Sequence, residues 1–194
     1  YIVWDERQRE ILTKFLRKDV NIIISRPIPN FDSTLDDVDL RLDDNSLILF
    51  DVQPYRLSRH IHLGYPNEYY EMKNVKKFYD DILDILKNKK LKIFYKRKRD
   101  TKNIDKKYLR YLKELEEEKK IIKLPSNQNL FRLLNNNLNI KTISMPFTGP
   151  AYISKYFGKS TFFYDPSGQI DINSYDKNIK IIYKKEEIAK YVFW

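Results

Sequence analysis

KTISMPFTGPAYISKYFGKSTFFYDP, residues 141–166, reads as strand, tight loop, short helix and strand again. Ile143 closes a β-rich run, and Pro146, Gly149 and Pro150 punctuate the turn that follows. Ala151, Ile153 and Tyr156 recur at helical spacing, and Gly158 stops that helix. Thr161 to Tyr164 is a second compact β run, ended by Asp165-Pro166. In an open parallel sheet this arrangement sets Ser144, Thr148 and the backbone N–H groups of Gly149 and Ala151 beyond a strand's carboxyl end. They then lie at the start of a helix, where the dipole favours an anion. Pro150 suits the first helical position, because the N–H it lacks would have no intrahelical partner there. The competing reading is a plain strand–helix–strand connection without a ligand.

Outward from this unit the same alternation continues. Residues 5–18 form an amphipathic helix with Ile11, Leu12, Phe15 and Leu16 on one face. The run NIIIS at 21–25 predicts a short strand buried on both faces of a parallel sheet. Arg26-Pro27-Ile28-Pro29 cannot be helical and forms a loop at that strand's end. Residues 31–45 are acidic and read as a solvated loop, without the spacing of a calcium site. SLILFDV at 46–52 is the second strand, with Asp51, Gln53 and Tyr55 at its terminus. Residues 56–71 form a long aromatic and polar loop. The clearest helix spans 74–87, capped by Asn74, with Val75, Phe78, Ile82, Ile85 and Leu86 as its stripe.

Further strands are predicted at 91–95, 121–124, 142–144, 161–164 and 180–183, and helices at 105–119, from 127 or 129 to 134, and from 186. In the 105–119 helix Tyr108, Leu112 and Leu115 face inward. The expected fold is therefore one doubly wound α/β domain over residues 1–194, with a mostly parallel, Rossmann-like sheet. The chain opens at Tyr1 rather than Met, which leaves room for its being the carboxyl-terminal half of a larger protein.

The chain carries 37 basic and 27 acidic residues, a net charge of +10, so its partners should be anionic. No basic helix, zinc-finger spacing or RNA-recognition signature accompanies the 15 tyrosines, which makes nucleic acid the weaker candidate. No cysteine occurs, and His60 and His62 are the only histidines, so no metal site is expected. No apolar run approaches the ~18 residues of a membrane span, and no signal peptide is visible. Four glycines cannot assemble a dinucleotide fingerprint.

The residues that could carry chemistry lie on three loops: Arg26–Pro29, Lys96–Arg99 and Ser144–Gly149. Four consecutive cations after a buried strand repel one another, and a bound phosphate would relieve them. Lys96, Arg97 and Arg99 are the phosphate-binding candidates, with Ser144, Thr148 and Gly149 on the facing loop. Asp165 is the best single carboxylate, for a sugar hydroxyl or for capping its own Ser167-Gly168 turn. Arg26, Asp51 and Gln53 are further loop contacts. Replacing Arg97 and Arg99 is expected to leave the fold intact, as exposed cations contribute little to stability. No catalytic carboxylate pair or serine–histidine–aspartate set is visible, so no catalytic residue is assigned.

The run ISMPFTGPAYISKYFGKSTFFYDPSG resembles the carboxyl-terminal half of bacterial surface-polysaccharide biosynthesis proteins of GT-B glycosyltransferase type. The resemblance extends back through FYKRKR and KLPSNQNLF to FDVQPYR, and more distantly to bacterial sialyltransferases and Kdo transferases. In those proteins a Lys-x-His-Pro element and a Ser/Thr pair stand where this chain has Lys96-Arg97-Lys98-Arg99 and Met145-Pro146-Phe147-Thr148. The resemblance implies a metal-independent, cytoplasmic lobe at the inner face of the cell membrane. It would bind a sugar nucleotide, CMP-linked by analogy, as substrate without a cofactor. Its partners would be that donor and a glycan or lipid-linked acceptor, with peripheral membrane association, as in capsule assembly. The acceptor lobe usually supplies the catalytic base, so this chain alone could bind without catalysing transfer. Two other classes stay open: a basic module for nucleic acid or an acidic membrane surface, and a non-catalytic partner subunit.

Overall fold

In a computed structural model the chain is described over residues 1–4, 6–16, 20–25, 27, 40–54, 71–97, 104–146, 148–170 and 179–193. Arg26, the acidic segment 31–39, the loop 56–70 with its two histidines, Lys98 and Arg99 lie outside these residues. The elements run β1 (Ile2–Val3), α1 (Glu6–Phe15), β2 (Ile23–Ile24), β3 (Ser46–Phe50), α2 (Met72–Leu86), β4 (Lys92–Tyr95) and α3 (Lys106–Glu117). They continue with β5 (Ile122–Lys123), α4 (Leu130–Asn136), β6 (Lys141–Ser144), α5 (Gly149–Tyr156), β7 (Ser160–Tyr164), β8 (Ile181–Ile182) and α6 (Glu186–Val192).

Six strands form one sheet in the order β5-β4-β3-β6-β7-β8, and every pairing is parallel. The first of the six is central, with its two successors on one side and the last three on the other. That is the Rossmann order, and the expected α/β fold is the one observed. The sequence reason is plainest in β3, whose five residues are all buried. Alternate side chains serve opposite faces. Leu47 and Leu49 pack with Val75, Phe78 and Ile82 of α2, while Ile48 and Phe50 join Leu133 and Leu134 of α4. Helices α2, α3 and α6 feed the first core; α4 feeds the second, and α5 touches both through Ala151 and Ile153.

Helix starts follow their caps where a short polar side chain is present. Asp105 accepts a bond from the Lys107 amide at 2.7 Å, and Asn129 accepts from Phe131 and Arg132. Asn74 does not cap α2. That helix begins at Met72, and Asn74 is buried within its first turn. Met72 packs against the core, so apolar contact carries the helix back past the polar residue.

The expectation for residues 21–25 needs correction. Only Ile23–Ile24 is a strand, it stands outside the six-stranded sheet, and both residues are exposed. It pairs in parallel with β1, and the Ser25 amide bonds the Val3 carbonyl at 2.8 Å. An apolar run states that a strand is favoured, but not which strand will satisfy its backbone.

Candidate functional site

Because the sheet is parallel, all six carboxyl ends meet one edge. The chain leaving β3 goes on to α2 on one face, whereas β6 leads through a short loop into α5 on the other. Adjacent strands whose connections depart to opposite faces leave a crevice between them, and ligands of such sheets bind there. Neighbouring strands bring Lys96 and Arg97 (after β4), Asp51 and Gln53 (after β3), Ser144 and Thr148 (at and after β6) and Asp165 (after β7) to this edge.

Asp51 is the most constrained of them. It is 6% exposed, and its Oδ2 accepts hydrogen bonds from the hydroxyls of Tyr79 at 3.0 Å and Tyr108 at 2.5 Å. Its Oδ1 is buried without a hydrogen-bond partner among the described residues. Burial pushes the carboxyl up to about 6, against the opposing pull of the two hydroxyls and the Arg97 charge. Burial and the facing Asp51 also raise both tyrosines well above their ordinary value. Tyr79 and Tyr108 lie 28 and 57 residues from Asp51, and no local pattern links them to it.

The basic run divides at the sheet. The Lys96 ammonium donates to the Ser126 carbonyl at 3.0 Å, on the β5 side. Arg97 instead acts on Asp51, lowering its carboxyl, and also on Tyr95 and Tyr108. It is half-buried. Arg97 is therefore not the exposed cation expected from the sequence, and because its charge favours the ionised Asp51, Arg97→Ala is expected to lower stability.

On the facing loop, Thr148 occupies the N-cap of α5 in extended conformation, but its hydroxyl donates to the Met145 carbonyl at 2.7 Å rather than capping. Pro150 is the second helical residue, one later than expected. Ser144 is fully buried, its Oγ without a hydrogen-bond partner among the described residues. Gly149 is exposed, and a Cβ there would meet the Trp4 ring at 3.6 Å, an ordinary contact. The β1–α1 segment thus reaches the start of α5, a proximity that no sequence signal disclosed. Asp165 caps its own turn. Its Oδ1 accepts from the Ser167 amide and hydroxyl at 2.9 and 2.6 Å, and its Oδ2 from the Ile170 amide at 3.0 Å.

Sheet order defines a Rossmann-like α/β protein whose topological switch lies between β3 and β6. The chain belongs to the family of polysaccharide biosynthesis PFTS motif proteins, whose model matches residues 1–192. No curated protein and no solved structure matches it. The letters P, F and T occur consecutively only at Pro146-Phe147-Thr148, and Gly149 stands where the family name has serine. That segment is the β6–α5 loop. Among the described residues no helix is long and apolar enough to cross a membrane.

A serine at position 149 gives a direct test of the local geometry. Gly149→Ser should raise stability by about 0.5 kcal/mol, since glycine is the poorer helix residue and the added Cβ has room. A denaturant midpoint lowered by the change would show that the Trp4 contact cannot yield.

Proposed function

We propose that this chain is the sugar-nucleotide-binding domain of a glycosyltransferase in polysaccharide biosynthesis. The observation that carries the reading is the coincidence of two independent features. The only Pro-Phe-Thr segment, which matches the family's motif name, lies on the loop at the switch point of a Rossmann-ordered sheet. Amides at the start of α5 would receive the donor's phosphates, with Thr148 beside them and Arg97 across the crevice. Fixed donors and a cation at that place would stabilise the charge that grows on the departing nucleotide phosphate, which is this domain's contribution to rate. Lys96, held by Ser126, would add to the field rather than grip the ligand. CMP is the first donor nucleotide to test.

Calorimetric titration with CMP, UDP and GDP, using inorganic diphosphate as control, tests the reading. One nucleotide should bind well above the rest and, at ~100 times its dissociation constant, should protect the fold by about 2.7 kcal/mol. Thr148→Ala should weaken binding by about 0.5–1.5 kcal/mol, and Arg97→Ala by about 1.5–3 kcal/mol, with the unliganded melting point of each measured alongside. Equal binding of all four anions would reduce the site to a nonspecific cationic patch and overturn the proposal.

A further inference from the structure

The opposite edge of the sheet, where the strands begin and the helices α2, α3, α4 and α6 end, has a different chemistry. Lys89 and Lys90 precede β4, Lys119 and Lys120 follow α3, and Lys141 opens β6. Lys120 pairs with Glu118, whereas Lys89, Lys90, Lys119 and Lys141 make no ion pair among the described residues. Two apolar side chains stand out among these cations. Leu138, in the turn between α4 and β6, is 77% exposed, and Phe193, just past α6, is 45% exposed. The Lys89 and Lys141 ammonium groups flank the Phe193 ring at 5.1 and 5.8 Å from its centroid. Beside them opens a groove of about 560 Å³, lined by Leu83 and Leu91 and by Lys89, Lys119 and Lys120, with the carboxylates of Asp80 and Asp84 also on its wall.

Helix carboxyl termini favour cations, which accounts for lysines at this edge but not for apolar side chains protruding between them. Exposing Leu138 and Phe193 to water has a cost that burial in an acyl layer would remove. We infer that this edge is a docking surface for an anionic lipid bilayer. Leu138 and Phe193 enter the interface, and Lys89, Lys90, Lys119 and Lys141 meet the lipid phosphates. Charge complementarity selects an anionic surface, and the apolar pair selects a bilayer over nucleic acid. The switch-point crevice then faces away from the membrane. This inference stands apart from the donor-binding reading, since it uses none of the crevice residues.

Sedimentation of the 194-residue chain with vesicles tests it. Phosphatidylcholine vesicles containing phosphatidylglycerol should carry the protein down, and pure phosphatidylcholine should not. Lys89→Ala with Lys119→Ala should reduce the affinity about thirtyfold, at about 1 kcal/mol per cation near an anionic surface. Leu138→Ser with Phe193→Ser should reduce it at least about tenfold, with an unchanged melting point. Failure to bind the anionic vesicles overturns the inference. So does vesicle binding that survives the serine pair intact, which would mark a general polyanion surface. Nucleotide titration of the same variants should match the unaltered chain, so loss of donor binding and loss of membrane binding are separable.

Discussion

Between about pH 4 and pH 7 the Asp51→Asn variant should gain about 3 kcal/mol of stability relative to the unaltered chain. The carboxyl is raised from 3.8 to about 6 in the folded protein, with burial as the first cause. A raised acid binds its proton more tightly when folded. Its stabilising contribution is complete below 3.8 and is lost as pH rises through about 6. Asparagine cannot ionise, so it lacks that loss, and the difference between the two proteins should grow with pH and level off near neutrality. The comparison is robust to a constant offset, for example an amide hydrogen without an acceptor where Oδ1 now stands. Denaturant melts of both proteins at several pH values would settle it. Parallel profiles would show that Asp51 is not the group that titrates.

The same residue explains why a costly carboxylate belongs in the functional argument. Phe50, next in the chain, satisfies the core with a hydrocarbon side chain, and the fold would tolerate another apolar residue at position 51 more cheaply than a buried charge. Strain and desolvation of this kind collect at functional sites. Asp51 lies at the switch point, one strand from the motif loop.

What the sequence disclosed divides along physical lines. Local signals survived well. SLILF is continuous and apolar because β3 is covered on both faces, and Asn129, one of two cap candidates, caps because its side chain reaches amides two and three residues on, whereas Asn74 does not cap. Sheet order was not legible, because alternation of strands and helices is the same whichever neighbour a strand selects. NIIIS shows the limit, since its apolar run found Ile2–Val3 rather than the main sheet. The basic run could have been read further. Successive residues leaving a strand point to opposite faces, so Lys96 and Arg97 could not both serve one crevice wall. The Asp51–Tyr79–Tyr108 centre stayed hidden because it is assembled from β3, α2 and α3, and only packing brings their polar tips together.

Asp165→Ala should be the most damaging change at the carboxyl edge, costing about 3 kcal/mol or more. The side chain is 0% exposed, and both oxygens accept bonds from the chain that follows. Alanine would leave the Ser167 and Ile170 amides without their acceptor, the second of them in a buried bond. Gly168 holds a φ of 66°, so the turn already depends on a glycine, and losing its carboxylate anchor removes the other half of its support. Asp165→Asn should cost roughly half as much, because one oxygen can keep the Ser167 bonds while the amide nitrogen faces the Ile170 N–H without accepting from it. The outcome also separates two roles for the residue. With both oxygens engaged in the turn, the asparagine variant should hold nucleotide within about threefold of the unaltered affinity despite its lower melting point. A variant that melts normally yet loses nucleotide would reverse the assignment and make Asp165 a ligand contact.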